Sequence, residues 1–268
     1  LSEEKMKQNL KKIALNIFYP LAAFALIVTI WAIAAAAAKK PIIFPEPKSV
    51  FTSFFQLLGG GGFWAAALNT LARSALSFVI AFVAALALAF LGALFNPVHK
   101  LFAPIVTVLR AAPTMAVILL SILWLDYDES PVLIGFLIAF PLLYSAAYGA
   151  VTSVDESLLE MANVFKVPVK DKIACIYFPS AAPAIMDAAA STLSLTVKVV
   201  IAAEVLAQTK VSIGLEMQRS NMLFDIPALL AWTVATIAFC FILEFLILVI
   251  KRLITSIRFK VYLEAENG

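Results

Sequence analysis

The sequence is poor in the residues that most protein chemistry needs. Of its 268 residues, one is a histidine, His99, and two are cysteines, Cys175 and Cys240. A single imidazole excludes paired-histidine metal motifs such as H-E-x-x-H, and two thiols supply neither a disulfide framework nor a cysteine metal set. None of the nine glycines is followed by lysine, so no G-x-x-x-x-G-K-[ST] phosphate loop is present and any ATP that drives the protein is bound by another chain. Charge is scarce as well, at 14% of residues against about 25% in soluble domains. The net charge of +3 is small for the length and carries no nucleic-acid signature. An enzyme embedded in the membrane would need a nucleophile–base set or metal ligands, and this inventory offers little for either.

What the chain has in abundance is apolar surface, with 63% of its residues hydrophobic. Six apolar spans cover about Ile13–Ala38, Ala65–Phe95, Leu101–Leu125, Pro131–Val154, Ser180–Ala207 and Pro227–Ile250. Each is long enough to cross a bilayer, which takes about 20 residues of helix. Lipid leaves backbone groups no outside partner, and the short alternating segments of a barrel are missing, so the spans read as helices. The expected fold is an all-α polytopic membrane protein of six transmembrane helices. The first apolar run is too long for the core of a signal peptide and reads as a retained span.

Charge distribution orients the spans. Lys5, Lys7, Lys11, Lys12, Lys100, Lys166, Lys170, Lys172, Lys251, Arg252, Arg258 and Lys260 fall on one side, against Lys39, Lys40, Lys48, Lys210 and Arg219 on the other. The positive-inside rule then puts both termini in the cytoplasm. Residues 1–12 form a cytoplasmic segment, 13–252 a single transmembrane domain and 253–268 a cytoplasmic tail. Outside, prolines 41, 45 and 47 resist helix before an amphipathic stretch, Val50–Leu58, suited to the membrane interface, and Gly59–Gly62 forms a flexible break.

The longest polar interruption on the inside is 155–179. Asp155 and Glu156 suit a helix start, Leu158, Leu159, Ala162 and Phe165 recur at helical spacing, Lys166 and Lys170 suit its end, and Pro168 stops it. Within it, Glu160-Met161-Ala162, three residues, Lys166, nine residues and Ile176-Tyr177-Phe178-Pro179 resemble the E-A-A, G, I-x-L-P signature of ABC importer permeases at every spacing. Met161, Lys166 and Phe178 depart from it, and Lys166 matters most because a glycine there eases the turn. Ile43-Phe44-Pro45-Glu46-Pro47, Leu109-Arg110-Ala111-Ala112-Pro113 and Ala203-Glu204 with Ile213-Gly214-Leu215 narrow the resemblance to permeases of the nitrate/sulfonate/taurine type.

The resemblance implies a core of two permease subunits, this chain and a second, usually identical one, with two ATPase subunits that carry ATP and Mg. An external substrate-binding protein feeds the core, and the whole sits in a bacterial-type inner membrane. It implies a coupling helix seated on the ATPase, with Asp155, Glu156, Leu159, Glu160, Ala162, Asn163, Phe165, Lys166 and Pro179 as the coupling residues. The solute is a nitrate-, sulfonate- or taurine-like anion, or else a pyrimidine vitamin precursor or a flavin. An ion-coupled carrier using Glu204 and Glu244 is the rival from another class, and leaves the cytoplasmic signature unexplained.

Ionisable residues inside spans are functional candidates. Asp187, Ser191, Ser194 and Lys198 fall along one helical face, with about 16 Å between Asp187 and Lys198. The stripe faces a wet cavity, where Lys198 attracts an anion, or forms a seam in which Glu244 neutralises it. Glu204 lies near the outer end of the same helix, for which the resemblance implies a structural or gating role. Arg110 precedes Pro113, which kinks the third span, and is anchored to carbonyls or a carboxylate or meets the solute. Arg73 snorkels or packs similarly, and Pro141 marks a second possible kink. Asp187, Ser191, Ser194, Lys198, Glu204 and Arg110 are thus the candidate pathway residues.

Overall fold

The computed structural model describes residues 2–40 and 42–266, with side chains for 18–40 and 42–252. The side chains of Lys5, Lys7, Lys11, Lys12, Arg258 and Lys260 lie outside the described residues, as do those of segments 1–12 and 253–268. The described residues form α1 (Ser2–Ala38), α2 (Pro47–Gly59), α3 (Gly61–Leu94), α4 (Asn96–Ala111), α5 (Thr114–Trp124) and α6 (Ser130–Thr152). There follow α7 (Glu156–Val164), α8 (Val169–Lys172), a π-helical turn over Ile173–Tyr177, α9 (Phe178–Ala207), α10 (Ile213–Met222) and α11 (Ile226–Glu266). Five of these are individually long and apolar enough to cross a membrane, and the bent pair α4–α5 makes a sixth.

The bundle is built on α3, α6 and α9. Between helices in lipid the driving force is close packing, which small residues permit. On α3 the buried positions Ser74, Ser77, Ala81, Ala85, Ala89 and Gly92 recur every three or four residues, a ridge of small side chains. It meets Ala139, Phe140, Leu143, Tyr144 and Ala147 of α6, together with Ala181, Ile185 and Ala189 of α9, in one apolar cluster. Gly135 marks the tightest approach: a Cβ there would lie 2.7 Å from Ser77 and 2.9 Å from Val200. By contrast α1 is exposed along nearly all of residues 18–38, and is tied to the connection before α2 by a bond from Trp31 Nε1 to the Pro45 carbonyl, 3.1 Å.

Two expectations are corrected here. The third span is not one kinked helix: α4 and α5 are separate and bent by 99°. Pro113 has no N–H to continue the ladder and pushes Ala112 into an extended conformation, φ −64° and ψ 131°, so the chain turns. Both ends of α4 meet the same part of α6. His99 stacks on Tyr148 at 3.8 Å and bonds Tyr144 at 3.0 Å, while Arg110, about 16 Å further along, reaches Ser145. Hence α4 lies across α6. The other half, α5, runs alongside α6, with Ser121 bonded to Ser130 at 2.6 Å and Ile118 packed on Ile134. The second correction concerns Gly59–Gly62: Gly59 ends α2 and Gly61 opens α3, so the break is Gly60 alone. Helix α6 continues through Pro141.

Gly135→Ala is expected to destabilise the bundle by about 1–3 kcal/mol through overpacking. Gly149→Ala, where an added Cβ meets nothing within 4 Å, should be neutral or slightly stabilising. Thermal unfolding of the two variants in detergent separates them, and equal shifts would contradict this packing.

Candidate functional site: a helical hairpin, a buried ion pair and an open stripe

The segment carrying the spaced signature folds as a short helical hairpin. Asp155 is the N-cap of α7, its carboxylate accepting the Ser157 N–H at 2.9 Å. Hydrogen bonding from the Ser157 hydroxyl and backbone holds the Asp155 carboxyl below its ordinary range. The helix ends on a six-to-one turn: Val167 N–H donates to the Ala162 carbonyl at 2.9 Å, and Lys166 N–H to the Asn163 carbonyl at 3.0 Å. This geometry requires a left-handed residue, normally glycine, and Lys166 occupies it at φ 52°. Lys172 then bonds the Asn163 side chain, closing α7 onto α8.

The apolar residues of α7 divide between two sides. Ala162 is buried against its own chain and Leu159 is half-buried. Leu158, Met161, Val164 and Phe165 stay exposed, the last two at 78% and 76%. Glu156 and Glu160 are also exposed, and Pro179 lies in the first turn of α9. A small apolar face with acidic neighbours is left for another surface.

At the opposite end of the bundle sits a polar network that the sequence did not reveal. Glu204 is fully buried. Its carboxylate accepts from Thr70 Oγ1 at 2.8 Å, Arg73 Nη1 at 3.0 Å and the Gly214 N–H at 3.3 Å. Arg73 also pairs with Asp128 at 2.8 Å, so it does not snorkel. Thr70 in turn accepts the Ile213 N–H at 2.9 Å, and Ser212 accepts that of Leu215 at 2.9 Å. The free amides at the start of α10 are thereby satisfied one by one. Ile213 packs among Phe63, Val197 and Ile201, so α10 begins well below the end of α9 and is re-entrant. Ser212 followed by Glu216 was the available sequence signal for this helix. Thr70 and Asp128 carried none.

The polar stripe of α9 is partly reassembled. Asp187, Ser191, Leu195, Lys198, Ala202 and Leu206 form its exposed face, whereas Ser194 turns inward. Asp187 is an ion-pair partner of Lys251 on α11, at 2.5 Å. Among the described residues no direct ion pair joins Lys198 to Glu244, although both lie within electrostatic reach of the Cys240 thiol. Glu204 belongs to the enclosed side of the helix, not to this face. Among the described residues Arg110 meets neither a carbonyl nor a carboxylate, and its hydrogen bond goes to the Ser145 hydroxyl at 3.5 Å.

Comparisons with known proteins bear on this arrangement. A protein-family model described as "Binding-protein-dependent transport system inner membrane component" matches residues 85–256. A probable ABC transporter permease protein of Brucella melitensis is 29% identical over 70% of this chain and 76% of its own length. The taurine transport system permease protein of Escherichia coli is 23% identical over 86% of both chains. The putative aliphatic sulfonates transport permease protein of Bacillus subtilis is 27% identical over 60% of this chain and 59% of its own. Among solved structures, a chain of a methionine ABC transporter in an inward-facing conformation superposes with a TM-score of 0.63 at 16% identity, over 70% of this chain and 95% of that one.

Two outcomes follow from the hairpin. Replacing Lys166 with glycine relieves the left-handed backbone, and the turn should gain roughly 0.5–1 kcal/mol after the glycine's extra unfolded freedom is discounted. Amide exchange at Val167 should slow accordingly; faster exchange would contradict the assigned turn. For Asp155 the lowered carboxyl fixes the sign of the pH effect. Its cap is fully present above the ordinary carboxylate range and is lost as pH falls through the lower folded value. Protection of the Ser157 amide should be flat above about pH 5 and decline only below about pH 4.

Proposed function

The chain belongs to the family of inner-membrane components of binding-protein-dependent transport systems, as a multi-pass permease subunit of an ABC importer, and on that premise we propose that it passes a small anion into the cytoplasm. The observation that carries the anion is Lys198. It lies about two-thirds of the way along α9, on that helix's exposed face, with no ion-pair partner among the described residues. A lysine so placed is too costly to face lipid, so the stripe Asp187–Leu206 lines the solute path or its boundary with a second permease. Sulfonate and taurine permeases among the relatives favour the same class. Residues 13–252 constitute the permease domain, flanked by cytoplasmic segments 1–12 and 253–268.

In this reading an external binding protein delivers the solute, and ATP and Mg act on two copies of a separate ATPase subunit. A second copy of this chain completes the path. The exposed face of α7, with Leu158, Met161, Val164 and Phe165, seats in the ATPase, and the capped, turn-locked hairpin transmits its closure to α9 through the π-helical turn. Alternating access follows from rocking of the spans.

Reconstitution with the ATPase and binding protein tests this. Phe165→Asp is expected to abolish co-purification of the ATPase and ATP-driven uptake while the spans still insert. Lys198→Gln should raise KM for ethanesulfonate or nitrate about tenfold, the scale of one lost charge interaction. Undiminished uptake in Phe165→Asp sinks the coupling assignment; ATP-driven uptake of a neutral pyrimidine or a flavin, with none of an anion, sinks the solute class.

A further inference from the structure

A second unpaired cation stands at the break of the third span. Arg110 occupies the last turn of α4, and Thr114 opens α5 across the 99° bend. Both border a half-open cavity of about 310 Å³, lined otherwise by Leu109, Ala112, Ile138, Pro141 and Leu142. Pro141 lies at the middle of α6, about 16 Å from either end, so the cavity sits at the centre of the membrane. There the charge of Arg110 is uncompensated: no carboxylate lies within ion-pair distance among the described residues, and its one hydrogen bond is the long one to Ser145, whose hydroxyl is itself committed to the Pro141 carbonyl at 2.8 Å. The other arginine within the spans, Arg73, has two carboxylates.

We infer that Arg110 and Thr114 form an anion subsite at the broken span, which takes the oxyanion group of a small monovalent solute while Leu109, Ile138 and Leu142 contact its short apolar body. Arg110 is exposed towards this opening, and a guanidinium without a carboxylate partner suits an oxyanion, because its planar fork gives two charge-assisted hydrogen bonds. The Thr114 hydroxyl has no intramolecular hydrogen bond among the described residues and faces the same space. The cavity volume lies at the lower end of the range for ligand pockets, which suits a small solute. Breaking a span at midplane is a recurrent way to expose such groups to a transported solute. The subsite rests on the import reading above and assigns to it a place where the anion pauses.

The test places a thiol in the cavity. In the assembled complex in lipid vesicles, on a Cys175→Ser, Cys240→Ser background, Thr114→Cys is labelled by 2-sulfonatoethyl methanethiosulfonate and by its trimethylammonium counterpart. Relative to a free thiol in solution, the sulfonate reagent should be favoured about tenfold. Nitrate or ethanesulfonate in the medium should slow it. Arg110→Gln should abolish both effects, and Arg110→Lys should retain the charge preference. An unchanged preference in Arg110→Gln overturns the subsite, as does a thiol unreactive to both reagents in every nucleotide state. A preference that increases when anionic lipid is removed identifies a lipid phosphate as the occupant and overturns the solute assignment. Labelling needs no uptake, so ATP-driven uptake without charge-selective labelling refutes the subsite alone. Charge-selective labelling without uptake refutes the import reading alone.

Discussion

The ion pair between Arg73 and Glu204 is the interaction on which the outer half of the bundle depends. Charges in a membrane interior are tolerated when paired and hydrogen-bonded, and removing one partner leaves the other exposed to the full cost of burial. Here the pair does more than neutralise itself. The Glu204 carboxylate receives the Gly214 amide, Thr70 receives that of Ile213, and Arg73 reaches Asp128 in the connection before α6. The pair thus joins α3, α9, α10 and the 125–129 connection. It also allows α10 to begin inside the apolar layer, where its free amides would otherwise have no partner. Gly214 belongs to the same design: a Cβ there would lie 2.5 Å from that of Glu204, so the approach of the two backbones admits glycine alone.

Much of the fold was legible because it is written in long-range composition. Apolar runs and charge bias give spans and ends that differ from the observed helices by a few residues for α6 and α9. The hairpin over 155–179 was legible because capping acids, apolar periodicity and Pro168 all agree locally. What escaped was decided by contacts between residues far apart in sequence. Nothing near Arg73 announces Asp128 or Glu204, which lie 55 and 131 residues away. Helix α10 escaped because it is short, moderately polar and terminates on Phe224 at φ 55°, where a glycine would have signalled the end. The consequence of Pro113 was underestimated because a proline in a span predicts loss of one bond, whereas the size of the bend depends on whether α6 can hold the second half.

Lys166 and Phe224 occupy equivalent places in two turns of the same kind. In each, the amide three residues past the helix end bonds a carbonyl of its last turn: Val167 to Ala162 and Asp225 to Ser220. Left-handed backbone at a non-glycine residue costs roughly 1–2 kcal/mol, and both are held by hydrogen bonds that close the helix. The hairpin at one end of the bundle and α10 at the other are therefore both fixed by a side-chain bond across the adjoining loop added to strained local turns, with Lys172 on Asn163 in the first and Glu204 on Gly214 in the second.

The bend between α4 and α5 has an electrical consequence. With α4 lying across the bundle, α5 alone continues towards the outer side, and its 11 residues extend about 16 Å, half of a hydrocarbon layer roughly 30 Å thick. A solute that pauses at the break therefore has about half of the hydrocarbon layer still to cross. For the anion proposed above, entry into a negatively polarised cell is opposed by about 2.3 kcal/mol for each 100 mV. Nucleotide hydrolysis is thereby required for a step that no arrangement of fixed cations can make downhill, since a cation that attracts the solute on entry holds it equally on release.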